Sequence, residues 1–218
     1  MKYKLKMIYK GAKTIHLPLE SEWIDERNID ALIIDFQKTG RITDIAIMDE
    51  MGREWNRKEF AKLQKKLEDE PTNPILYFDG GFDLQSKEAG IGIVIYYQKG
   101  VNHFRYRANA KLEALESNNE AEYAALYNAL LFLQEQSFNN LPIVIRGDSQ
   151  GVLKQLEGEW PCYEKSLNAW LDKIEEKIKE LGLHPNFEVI SRKENKEADA
   201  LATQALQNTI IHSHLKME

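Results

Sequence analysis

The sequence predicts an α/β protein: a five-stranded mixed sheet flanked by helices over residues 75–218, preceded by a small α+β unit over 1–66. Three observations carry this. Strand-like runs at 75–82, 89–98 and 101–107 follow one another, and helix and strand then alternate, as in a mixed sheet with helices packed against it. The charged, two-proline stretch Glu68-Asp-Glu-Pro-Thr-Asn-Pro74 is the best boundary in the chain, so 67–74 reads as a linker. The 218 residues, 43% of them hydrophobic, suffice for a sizeable core in one large or two small domains.

In the first unit Tyr3, Leu5 and Met7 alternate with Lys2, Lys4 and Lys6, the period of a strand. The stretch from Thr14 to Leu19 reads as an edge strand, because Pro18 suits a central strand poorly. Asp25 to Lys38 reads as a helix with Ile29, Leu32, Ile33 and Phe36 on one stripe and Gly40 as its stop. Ile42 to Trp55 reads as a hairpin turning near Glu50, and Asn56 as the cap of a helix over 57–67. The lysine face of the first strand has two readings: a contact for phosphates, or protection of an exposed strand edge. In the second unit the remaining strands fall near 142–147 and 186–190, and the helices near 119–136, 149–157, 163–181 and 194–207. His212 and His214 read as part of a frayed tail.

Composition narrows the functional classes. Net charge is −6, and residues 71–218 hold 15 basic and 21 acidic groups against 14 of each in 1–70, which argues against a general polyanion binder. An enzyme acting on nucleic acid is still allowed, since bound metals offset acids gathered at a site. One cysteine, Cys162, excludes an internal disulfide, and no Cys/His spacing suggests zinc. No apolar run reaches the length of a membrane span, and Met-Lys-Tyr-Lys-Leu-Lys lacks the apolar stretch of a signal peptide. A cytoplasmic location fits best. No protein partner is identifiable, and a monomer is expected.

Four carboxylates stand where neutral or apolar residues would suit the pattern better. Asp79 closes the strand Ile75-Leu-Tyr-Phe-Asp, Asp148 closes Ile143-Val-Ile-Arg-Gly-Asp, and Asp199 lies in the small-residue helix Glu197-Ala-Asp-Ala-Leu-Ala. Glu122 precedes Ala125 and Leu126 by three and four residues, so it extends the apolar face of its helix toward the sheet. Acids gathered beside a core are costly unless a cation neutralises them, and hard divalent cations take such oxygen ligands. Taken singly, each acid is most simply a capping, turn or solvated group; four in this order of elements point to a shared site.

These segments resemble the type 1 ribonuclease H family over roughly residues 75–207. Phe78-Asp79-Gly80-Gly81 resembles its first-strand aspartate motif, and Ser117-Asn118-Asn119-Glu120-Ala121-Glu122 its Thr-Asn-Asn-x-Ala-Glu helix start. Gly147-Asp148-Ser149 resembles its Thr-Asp-Ser, and Asn195-Lys-Glu-Ala-Asp199-Ala-Leu-Ala its closing helix. The resemblance implies endonucleolytic hydrolysis of the RNA strand of RNA–DNA hybrids, leaving 5′-phosphate and 3′-hydroxyl ends. It implies two Mg²⁺ ions, with Mn²⁺ as an alternative, held by Asp79, Glu122, Asp148 and Asp199. Gly81, Ser117, Asn118 and Asn119 would bind substrate, reading the ribose hydroxyl, although Ser117 or Asn118 also suits a plain helix cap. Many members carry a histidine before the last helix; here Ser191-Arg192-Lys193-Glu194 stands instead. Arg192 or Lys193 would take over its role in product release or contact a phosphate. The alternative is a catalytically silent hybrid-binding protein of the same fold.

Overall fold

The structure, a computed structural model, describes residues 1–12 and 15–217 and divides into two compact units, Met1–Glu68 and Asp69–Glu218. Thr14, the first residue of the expected edge strand, lies outside the described residues.

The first unit is an antiparallel sheet with two helices. Strands β1 (Lys2–Lys10), β2 (His16–Glu20), β3 (Ile24–Asp25), β4 (Ile42–Asp49) and β5 (Glu54–Asn56) run in the order β2-β1-β4-β5, with β3 also pairing β1. Helices α1 (Glu26–Lys38) and α2 (Arg57–Asp69) close the core, in which Tyr3, Leu5 and Met7 meet Ile29, Ile33, Ile47 and Phe60. Local chemistry sets the helix ends. The Asp25 carboxylate accepts from the Arg27 N–H at 3.1 Å. Asn56 and Glu59 exchange side-chain to backbone bonds of 3.0 Å each, a reciprocal cap. Pro18 sits opposite Ile8 in the edge strand β2, where its missing N–H costs least.

The edge reading of the β1 lysines does not survive. β1 is an interior strand flanked by β2 and β4, not an edge. Lys4 and Lys6 form cross-strand ion pairs with Glu20 and Glu54 at 2.7 and 2.6 Å, which Lys2 does not share among the described residues.

The second unit contains β6 (Thr72–Asp83), β7 (Glu88–Lys99), β8 (Asn102–Leu112), α3 (Asn118–Glu135), β9 (Pro142–Gly147), α4 (Gln150–Leu156), α5 (Lys165–Glu180), β10 (His184–Val189), α6 (Lys196–Leu206) and β11 (His212–Met217). Its sheet runs β10-β9-β6-β7-β8-β11, with β9 parallel to both β6 and β10 and the remaining pairs antiparallel. The mixed sheet is as expected, but it has six strands rather than five. The extra one is the tail that the sequence suggested would fray. β11 pairs with β8 from His212↔Ala108 to Met217↔His103, and the Tyr97 hydroxyl hydrogen bonds to His214 Nε2. It is held by the backbone ladder and by aromatic edges rather than by apolar burial, so its residues carry no strand-like hydrophobic pattern.

The segment 67–74 is largely structured. α2 runs to Asp69 and β6 begins at Thr72, leaving Glu70 and Pro71 between them. Pro74 does not stop β6, because the pairing with β7 slips between Thr72 and Ile75 and frees that position from the ladder.

Alternation sorts the sheet's two faces. Leu76, Phe78, Ile91, Ile93 and Ile95 pack with α3, whereas Val94 and Tyr77 meet Ala198 and Leu201 of α6. Both helices lie directly on backbone. A Cβ at Gly80 would stand 2.2 Å from the Ala121 carbonyl carbon, one at Gly90 2.2 Å from the Ala202 oxygen, and one at Gly92 2.1 Å from the Ala198 oxygen. Gly92→Ala is therefore expected to cost about 1–3 kcal/mol, seen as a lower urea midpoint at unchanged m-value. A neutral effect would mean that α6 slides freely on β7.

Candidate active site

The glycine contacts bring α3 and α6 to the ends of β6 and β9, where the four acids lie. β6 and β9 pair in parallel only as far as Tyr77↔Arg146, and beyond that the chains carry Asp79 and Asp148 outward. Glu122 lies in the second turn of α3, directly over Gly80, and its Oε2 accepts from the Gly80 N–H at 3.3 Å. Asp199 lies in the first turn of α6. Asp79 and Glu122 are 8% and 9% exposed.

Burial and mutual repulsion shape the titration of the two buried acids. Burial, followed by the nearby charges of Asp148 and Asp199, pushes the Asp79 carboxyl up to about 7, and Arg192 opposes the shift. Burial, followed by the charges of Asp79 and Asp148, pushes Glu122 up to about 9, with the Gly80 N–H opposing.

Two further residues hold the group. Asn195 is 1% exposed. Its Nδ2 donates to the Phe78 carbonyl at 2.9 Å and to Asp148 Oδ1 at 2.7 Å, tying β6, β9 and α6 together at the site. Arg192 donates from Nε and Nη2 to Asp199 Oδ1 at 2.9 and 2.6 Å, with its side chain 78% exposed. Sequence reasoning quoted Asn195 in a motif but assigned it no role. No sequence signal separates it from a plain cap: it occupies the cap of α6, yet its side chain makes no cap bond and is spent on Phe78 and Asp148.

The structure thus brings together Asp79, Glu122, Asp148, Asp199 and Arg192. Lys193 is exposed on the neighbouring loop. Ser117 takes the capping role, accepting from the Glu120 N–H at 3.2 Å. Asn118 Oδ1 accepts from the Phe82 N–H at 3.2 Å, fixing the start of α3 to β6 beside Gly81. Asn119 lines a pocket of ≈ 190 Å³ with Tyr123, Ser149, Gly151 and Gln155.

The donor set suits hard cations, being carboxylate oxygens whose buried members are destabilised by burial and then by the charge of neighbouring acids. It is not a preassembled cage: among the described residues no three His, Cys, Asp or Glu side chains stand ready to hold a metal ion. Asn195 and Arg192 each occupy one oxygen, of Asp148 and of Asp199 respectively.

A mixed sheet with one helix against each face and four acids at the ends of its strands defines a ribonuclease H-like domain. Residues 77–205 match the family described as reverse transcriptase-like. The uncharacterized protein YpeP of Bacillus subtilis (strain 168) is 41% identical over 214 residues, covering 98% of this chain and 94% of that protein. Ribonuclease HI of Halobacterium salinarum is 35% identical over 97 residues, 42% of this chain and 45% of the relative's own length. The crystal structure of LC11-RNase H1 in complex with an RNA/DNA hybrid superposes with a TM-score of 0.54 at 30% identity, over 62% of this chain and 98% of that one. The chain belongs to the ribonuclease H family, and at family level it is a nuclease.

The crowding of like charges has a measurable consequence. With chelator present at pH 8, Asp79→Asn removes one buried charge and is expected to melt roughly 2–4 °C above wild type. A lower melting temperature would mean that the carboxylates are not in mutual repulsion.

Proposed function

We propose that this protein hydrolyses the RNA strand of RNA–DNA hybrids endonucleolytically with two Mg²⁺ ions, leaving 5′-phosphate and 3′-hydroxyl ends. The observation that carries the reading is the convergence of Asp79, Glu122, Asp148 and Asp199 at one end of the sheet, two of them buried and destabilised by their neighbours' charge. Asp79, the most central acid, would serve both ions, with Glu122 and Asp148 completing one site and Asp199 the other. When bound, the ions supply charge neutralisation for the phosphate and a lowered pKa for the attacking water. Mn²⁺ meets the same oxygen donors.

The chain's own groups then orient the substrate. The Gly81 backbone, Ser117, Asn118 and Asn119 line the start of α3 beside Glu122, and short amides both donate to and accept from a 2′-hydroxyl. Asn195 holds the Asp148 carboxylate in place from behind. Arg192, an exposed side chain, exchanges Asp199 for a phosphate oxygen and assists product departure, with Lys193 beside it as a second cation. LC11-RNase H1, a family member solved with an RNA/DNA hybrid, supports the substrate class. We place the protein in the cytoplasm on the strength of its single free thiol, Cys162; no helix among the described residues is long and apolar enough to cross a membrane.

A second reading, a silent hybrid-binding protein, draws on the Arg192–Asp199 pair and on the lack of a ready cage. One assay separates the two. With Mg²⁺ or Mn²⁺ and an end-labelled hybrid, wild type is expected to cut internally, and Asp79→Asn to lose about three orders of magnitude or more in rate. Binding without cutting by wild type establishes the silent reading, and full activity in Asp79→Asn removes the metal assignment.

A further inference from the structure

We propose that α2 is a phosphate-binding surface of the N-terminal unit, and that its partner is the sugar–phosphate backbone of a nucleic-acid duplex. The proposal rests on the hybrid-directed reading above and names a second contact with the same substrate. Lys58, Lys62, Lys65 and Lys66 fall within an arc of about 100° on α2, away from Phe60, which faces the core. All four are exposed. The lysine ion pairs among the described residues involve Lys4, Lys6, Lys38, Lys111, Lys154 and Lys177, and none of the four on α2. Two acids of α2 border the stripe: Glu59 is engaged with the Asn56 cap, and Asp69, four residues after Lys65 and three after Lys66, forms no ion pair with them among the described residues.

The arrangement works against the helix itself. Lys58/Lys62 and Lys62/Lys66 are like charges at i,i+4, and Lys62/Lys65 at i,i+3, all of them destabilising in isolation. A row of phosphates relieves that repulsion. The stripe extends about 12 Å along the helix axis, the rise of three to four phosphates of one strand. Residues 71–218 are net acidic, with 15 basic against 21 acidic groups. There Lys154 is bound to Glu157 and Glu159. A polyanionic duplex at an acidic nuclease domain gains from further cations, and α2 presents four on one face with no ion pair among the described residues.

The test measures binding by the full-length chain, made uncuttable by Asp79→Asn, to a labelled hybrid in Mg²⁺ across a salt series. Replacing all four lysines by glutamine should lower affinity about tenfold or more at low salt and reduce the slope of log K against log [salt] by about two to four. Replacing them by arginine should restore both, which excludes misfolding as the cause. Lys4→Gln with Lys6→Gln, whose charges are already paired, should leave the slope unchanged. An unaltered slope in the α2 glutamine variant of a chain that binds hybrid overturns the proposal alone. Failure of the parent chain to bind any hybrid overturns the proposed substrate, and this inference with it.

Discussion

The site depends on helices that lie on bare backbone. Side chains at a helix–sheet contact hold the two backbones apart by their own bulk, and glycine removes that spacer. Gly80 removes the obstacle under α3, and Gly90 and Gly92 remove it under α6. The same contacts let the Gly80 N–H reach the Glu122 carboxylate and place Asp199 at the edge of the β6 strand end. Glycine costs backbone entropy within a strand, and β6 and β7 bear that cost at the positions where the two helices approach closest.

Close approach creates an electrostatic problem that the surrounding residues solve only in part. Glu122 and Asp79 lose hydration and face two further acids, so both are pushed toward their neutral forms. The protein offsets this with directed donors: the Gly80 N–H to Glu122, the Asn195 amide to Asp148, and the Arg192 guanidinium to Asp199. Asp79, at the centre, has the least support and the most neighbours. A site left short of positive charge at its centre favours a cation over a neutral ligand. The exposed Arg192 is the member of the group able to leave without unpacking the core.

Much of this was legible in the sequence because the chemistry runs against local pattern. An acid closing an apolar strand, or extending the apolar face of a helix, is visible as a misfit, and Asp79, Glu122 and Asp148 were all of this kind. Asn195 was not visible: an asparagine before a helix is the commonest of caps, and only the geometry shows that it bonds to Phe78 and Asp148 instead. β11 was hidden for another reason. A strand held by its ladder and by a tyrosine–histidine contact needs no apolar period, and His-Ser-His-Leu-Lys-Met has none. Pro74 misled because a proline normally ends a strand, whereas here the register slip beside it absorbs the missing donor.

The lysines of the first unit show the same limit from the side of charge. Lys2, Lys4 and Lys6 form the more conspicuous pattern, alternating with apolar residues at the very start of the chain. Topology cancels it: β1 lies between β2 and β4, and Glu20 and Glu54 arrive across the sheet to neutralise Lys4 and Lys6. The lysines of α2 are spread through a mixed run and draw no attention as a motif. Once wound at 3.6 residues per turn they share a face, and no acid from a neighbouring element meets them among the described ion pairs. Whether a row of cations is a structural pair or a surface for another molecule is therefore decided by what the fold places opposite it, which is information that spacing along the chain does not contain.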